Sequence, residues 1–78
     1  MSKRLTKARI RKWDKDSTDL RRRIRIMRLD VNAYKLAAKG GRYSYLLALE
    51  TALTEAQAVV TDVMEEVEKL GTREGVFE

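Results

Sequence analysis

The side chains most able to do chemistry in this sequence are the lysines and arginines of its first 28 residues. They form two clusters, one in residues 3–15 and one in residues 21–28. Ammonium and guanidinium groups bind phosphate, and arginine also stacks on bases, so the pattern indicates an anionic partner such as DNA or RNA. The candidate nucleic-acid-binding residues are Lys3, Arg4, Lys7, Arg9, Arg11, Lys12, Lys15, Arg21, Arg22, Arg23, Arg25 and Arg28.

Charge is divided unequally between the two halves of the chain. The 78 residues contain 17 Lys and Arg and 12 Asp and Glu, a net charge of +5. Residues 1–42 hold 15 of the basic and 4 of the acidic side chains, whereas residues 43–78 hold 2 and 8. Such asymmetry is typical of a basic segment for an anionic partner, or of two halves that fold against each other.

The sequence contains few of the residue types that catalytic and metal-binding sites use. The chain contains no Cys and no His, which removes thiolate and imidazole groups. It has no glycine-rich phosphate loop and no nucleophile elbow, and the acidic run at residues 65–68 is more typical of a solvated helix end than of a cation site. We therefore expect a non-enzymatic protein without a cofactor, and we assign no catalytic or metal residues.

The sequence also lacks the features of a membrane or secreted protein. No apolar run approaches the roughly 20 residues that a membrane-spanning helix needs. No charged segment followed by an apolar one opens the chain. The expected location is cytoplasmic, or inside the virion if the chain is viral.

Two long helices must position the basic clusters. The chain contains no Pro, and Ala, Leu, Lys, Arg and Glu make up about half of it, a composition typical of long helices and coiled coils. Apolar residues recur at alternating steps of three and four in both halves, a spacing that predicts a coiled-coil seam. The first series is Ile10, Trp13, Leu20, Ile24, Met27, Val31, Tyr34 and Ala38, and the second is Leu46, Leu49, Leu53, Ala56, Val60, Val63, Val67 and Leu70.

The only Gly-Gly pair, Gly40-Gly41, lies between the two series and predicts an antiparallel hairpin. A turn centred there brings Tyr34 level with Leu46 and places Arg28 beside Glu50. The expected domain is a hairpin over residues 1–71, with helix 1 at about 3–39, the turn at 40–42 and helix 2 at about 43–70, followed by a flexible tail at 72–78. Residues 14–19 are rich in helix-capping types, so a separate basic arm over residues 1–16 stays open as an alternative.

Apolar residues outside the seam indicate association. About three positions in seven are apolar, which is the pattern of a bundle helix, and a lone hairpin of this length buries little surface. The predicted fold class is therefore all-α, an antiparallel helical hairpin that dimerises into a four-helix bundle. The candidate protein-interface residues are Ile26, Leu29, Ala33, Leu36, Tyr45, Ala52, Val59 and Met64.

Three functions stay open. The first is nucleic-acid binding by a homo-oligomer through the basic face of helix 1. The second is a protein–protein interaction module, such as a phage accessory, structural or inhibitory protein, which docks on a larger partner or a virion assembly through the stripe at residues 26–36 and the tail at Val76-Phe77. In the third, residues 23–30, which partly alternate basic and apolar, form a strand that resembles the DNA-reading strand of ribbon-helix-helix repressors.

Overall fold

The computed structural model describes residues 4–77, which form two long α-helices packed against each other. Helix α1 spans Lys7–Ala37 and helix α2 spans Gly41–Arg73. The predicted all-α hairpin is confirmed. Residues 23–30 lie inside α1, so the strand of the third interpretation is wrong. Lys3, one of the candidate binding residues, lies outside the described residues.

Helix α1 begins with a side-chain cap at Thr6. The Thr6 Oγ1 atom accepts a hydrogen bond from the Arg9 backbone N–H at 3.2 Å, which satisfies one of the free donors of the first turn. The helix then continues without a break through the capping-type residues at 14–19, because Ser17 and Thr18 donate their hydroxyl groups to the Asp14 carbonyl. Residues 7–16 are thus part of α1 and not a separate arm.

The turn is short and depends on Gly40. This residue has φ 65° and ψ −139°, a backbone conformation that residues with a Cβ rarely adopt. The turn lies where the Gly-Gly pair predicts it, although α1 ends at Ala37 and α2 already begins at Gly41, both about two residues earlier than expected.

The end of α2 differs from the expected stop at Gly71. The helix continues to Arg73, and Gly75 takes the left-handed conformation, with φ 70°. The N–H groups of Gly75 and Val76 donate to the carbonyls of Thr72 and Gly71, which is a Schellman motif. The chain then places the Phe77 ring where a Cβ of residue 71 would lie, so Gly71 is needed for this contact.

The helices turn a different face to each other than the predicted seam. A central row keeps its place: Ile10, Ser17 and Val31 of α1 and Val60 of α2 are buried. The second row of each predicted seam is not buried between the helices: Leu20, Met27 and Val63 are 49%, 48% and 46% exposed. Relative to the prediction, each helix is rotated by roughly 50°, half of the 100° between successive residues.

Polar side chains lie between the helices, at the positions where the prediction placed the second apolar row. Lys35 and Glu50 approach each other across the hairpin, with Nζ 3.0 Å from Oε2 and the side chains 14% and 24% exposed. The contact is an ion pair without hydrogen-bond geometry. Glu50 therefore pairs with Lys35 and not, as expected, with Arg28.

The Phe77–Gly71 contact predicts that the effect of Gly71→Ala on the free energy of unfolding depends on whether Phe77 is present. Gly71→Ala gains about 1 kcal/mol of helix propensity, but its methyl group displaces the Phe77 ring, whose burial is worth roughly 1–2 kcal/mol for a partly exposed side chain. We expect Gly71→Ala to stabilise the Phe77→Ala variant and to leave the natural chain unchanged or less stable. Urea unfolding of the four chains of this cycle measures the coupling, and additive effects would contradict the contact.

The Lys35–Glu50 pair predicts a charge-swap rescue. Glu50→Lys places two ammonium groups in a largely buried position and should lower the free energy of unfolding by about 3 kcal/mol. Lys35→Glu combined with Glu50→Lys should recover most of the loss. Glu66→Lys is the matched control, because its partner Lys69 is solvent-exposed and exposed pairs contribute only about 0–1 kcal/mol. Thermal unfolding followed by circular dichroism compares them, and failure of the double variant would rule out this register.

Candidate nucleic-acid interface

Two helices side by side form a single layer with two broad faces. The molecule measures 52 × 30 × 14 Å, and the smallest dimension is about the thickness of one helix with its side chains. Each helix therefore has one side packed on its neighbour, while both broad faces are open to whatever surrounds the hairpin.

One broad face is apolar. Trp13 shares a shallow groove with Val59, Val63 and Leu70 of α2, so the exposed rows of both helices lie on this side. Asp62 and Glu66 also line this groove. Seven-residue spacing places the other members of each row along the same line. We call this surface the apolar face: Trp13, Leu20, Met27 and Tyr34 of α1, with Tyr45, Leu49, Ala52, Ala56, Val59, Val63 and Leu70 of α2.

The opposite broad face carries arginine. Arg28 shares a groove with Thr54, Gln57 and Thr61 of α2, none of which is charged. Arg21 lies seven residues before Arg28 in the same row, and Arg22 and Arg25 follow on the adjoining outer surface of α1. We call Arg21, Arg22, Arg25 and Arg28 the basic face.

Arginines within the described part of the chain form no ion pair. The three ion pairs between residues 4 and 77 all use lysine, namely Lys12–Asp16, Lys35–Glu50 and Lys69–Glu66. Arg21 shares its groove with Asp14, Glu65 and Glu68, yet it lies at ion-pair distance from none of the described carboxylates. The guanidinium groups of the basic face are thus available to an external anion.

Arg28 is the most constrained arginine of this face. Its side chain is half-buried, and its Nε atom is enclosed without a hydrogen-bond partner in the described structure. Thr54 and Thr61 beside it do not accept this proton, and their own hydroxyl groups donate to carbonyls of α2. A buried donor without an acceptor costs about 1–3 kcal/mol, so Arg28 is held in a position that does not favour the folded chain by itself.

The first basic cluster is placed at the open end of the hairpin. Arg4 precedes α1, and Lys7, Arg9, Arg11, Lys12 and Lys15 occupy its first turns, all exposed. Lys12 pairs with Asp16 at 2.8 Å. Arg11 belongs to the row of Arg25 and Lys15 to the row of Arg22, so these two residues extend the basic face. Arg9 and Arg23 lie on the other edge of α1, beside the apolar face. They are therefore not part of the basic face.

The predicted protein-interface residues do not form one surface. Ile26, Leu29, Ala33 and Leu36 are exposed on the side of α1 that points away from α2. Tyr45, Ala52 and Val59 lie on the apolar face, while Met64 is half-buried beside Arg21. Phe77 packs on Gly71, so the tail expected to dock on a partner contacts its own hairpin.

The sequence pattern missed the exposure of Trp13, Leu20, Met27 and Val63 on one face of the hairpin. These residues have heptad spacing, and the spacing alone assigns them to the core. Their size was the available signal, since the central row of α1 consists of the smaller or β-branched Ile10, Ser17, Ile24 and Val31. Because the residues of one row are wide and those of the next are narrow, α1 can pack with both rows inward or be rotated so that only the narrow row is buried.

Comparisons of the chain with protein-family models, with characterised proteins and with solved structures gave no match. Within residues 4–77, no three His, Cys, Asp or Glu side chains come together in a group able to hold a metal ion. Neither described helix combines the length and the apolar character required to cross a membrane.

The buried Nε of Arg28 predicts that removing the guanidinium leaves the fold intact or strengthens it. Arg28→Met keeps an unbranched side chain over the seam and should raise the free energy of unfolding by about 1 kcal/mol. The exposed Arg25→Met is the control and should change it by less than about 0.5 kcal/mol. Urea unfolding measures both, and a clear loss of stability in Arg28→Met would show that the residue has a structural role.

Proposed function

We propose that this chain is a non-enzymatic, self-associating helical hairpin that binds nucleic acid through the basic face of α1. The observation that supports the proposal is that no arginine of this face forms an ion pair with a described carboxylate. Arg28 lies beside threonine, glutamine and alanine of α2, and Arg21 forms no ion pair with the three carboxylates of its groove. The acidic half of the chain thus leaves this cluster of positive charge without a partner inside the described hairpin.

The geometry of the basic face suits a phosphate backbone. The rise from Arg11 to Arg28 along α1 is about 26 Å, and a duplex carries one phosphate per strand every 3.4 Å or so. Guanidinium groups along this length can meet several phosphates, and they bind each one bidentately. Because phosphate contacts carry no sequence information, binding by this face is largely independent of base sequence.

A second candidate function is supported by the apolar face. A protein–protein interaction module also needs an exposed apolar surface, and this one extends along both helices. In that case the chain docks on a larger protein and the arginines act as a solvated rim. Copurification distinguishes the two: a nucleic-acid binder brings down nuclease-sensitive material, whereas a docking module brings down one protein in fixed stoichiometry after nuclease treatment.

The proposed function predicts a strong salt dependence that a triple substitution reduces. Binding to a labelled duplex and to a labelled single strand should weaken steeply with salt, with the slope of log K against log salt set by the number of phosphates contacted. Arg21→Ala, Arg22→Ala and Arg25→Ala together should lower that slope by about 2–3 and keep the helix content, because alanine favours helix. Fluorescence anisotropy over a salt series measures the slope.

The matched control also removes three positive charges, at positions outside the basic face. Lys39→Ala, Arg42→Ala and Lys69→Ala lie at the turn and on α2, outside the basic face. This variant should keep the slope of the natural chain. Equal losses in both triple variants would mean that only net charge matters, and no binding of either nucleic acid at low salt would end the proposal.

A further inference from the structure

We infer that a second copy of this chain covers the apolar face, with α1 of each copy lying over α2 of the other. This inference rests on the self-association in the proposed function, and it adds the surface and the arrangement. The described hairpin buries few apolar side chains, and among them only Ile10, Val31 and Val60 are less than a tenth exposed. Large side chains such as Trp13, at 41% exposure, remain open on one face.

The size of the apolar face matches what a stable dimer needs. The row from Trp13 to Tyr34 extends for about 32 Å along α1. On α2 the face extends from Tyr45 to Leu70, about 38 Å. With half of the 30 Å width of the hairpin it covers about 570 Å² on each copy, or about 1,100 Å² in the pair, which is above the roughly 1,000 Å² expected of a specific interface.

The shape of the apolar face is complementary to itself in one orientation. On α1 it is a ridge of large side chains, Trp13, Leu20, Met27 and Tyr34. Opposite its middle, α2 presents the small residues Ala52, Ala56, Val59 and Val63. A twofold axis along the hairpin lays each ridge over the small-residue side of the other copy, so the large and small side chains interdigitate. Stacking α1 on α1 instead sets ridge against ridge and leaves a gap between the two α2 helices.

Charged side chains border the apolar face on both helices, and on α2 Asp62 and Glu66 line the same groove as Trp13. Arg9, Asp16, Arg23 and Asp30 follow one another along the edge of α1 with alternating sign. Exposed pairs of this kind contribute little in either direction. The apolar contact and its shape therefore decide the arrangement, which is a four-helix bundle with both turns at the same end.

Sedimentation equilibrium of the natural chain tests the association without any nucleic acid. The expected mass is twice the 9.0 kDa of one chain. Val63→Glu should shift the mass to that of a monomer, whereas Leu29→Glu, on the exposed outer surface of α1, should leave it unchanged. A monomeric natural chain, or dissociation by Leu29→Glu and not by Val63→Glu, would overturn the inference. A larger protein is then the occupant to test, and phosphate binding by the basic face is unaffected.

Disulfide trapping tests the arrangement and does not require a destabilised variant. The chain contains no cysteine, so single cysteines report one contact each. A mixture of Leu20→Cys and Val63→Cys chains should form a covalent dimer under mild oxidation, because these rows face each other across the interface. Either variant alone should stay uncrosslinked. Ready self-crosslinking of Leu20→Cys, which lies near the middle of α1, would show that α1 stacks on α1 and would overturn the arrangement.

Discussion

The structure depends on one constraint: two helices packed side by side form one layer, and a layer cannot bury both of its faces. In the described chain the contact between α1 and α2 encloses a narrow central row and little else. Each apolar residue beyond this row is either at the edge of the contact or on an open face. The helix rotation therefore decides which chemistry each broad face presents.

The rotation has a physical cause in the side chains that flank the central row. Arg28, Lys35, Gln57 and Met64 are long and unbranched, and their aliphatic stems cover the seam while the polar heads reach its edge. Trp13 and Tyr34 are too wide to fill the same place without separating the helices. Packing the narrow row and the long stems inward brings the helices close together, and it moves the wide residues to one open face.

The sequence predicted the hairpin well because its signals are local. The absence of Pro, the heptad spacing and the single Gly-Gly pair each act within a few residues, and Gly40 has the positive φ that the turn requires. The rotation of the helices could not be predicted in this way, since the rows of Met27 and Arg28 lie on either side of the same central row. The partner of Glu50 was missed for a related reason: Arg28 and Lys35 are one heptad apart in one row, so the pattern allows both.

The end of α2 shows the same limit on a smaller scale. Gly71 and Gly75 both fit a stop signal in the sequence, and only the packing of Phe77 distinguishes them. Gly75 ends the helix because its φ is positive, while Gly71 is helical and leaves room for the aromatic ring. A glycine that permits a close contact and a glycine that permits a turn look alike until the contact is known.

The two proposed surfaces have a joint consequence for how the protein meets nucleic acid. The apolar and basic faces lie on opposite sides of one thin layer, so a dimer formed through the apolar faces directs its two basic faces away from each other. The second copy then does not widen a single binding surface; it supplies a separate one on the far side of the bundle. One straight duplex cannot contact both sides of such a bundle at once. The two proposals together therefore predict binding to two nucleic-acid segments held side by side, or to one strand flexible enough to wrap around the bundle.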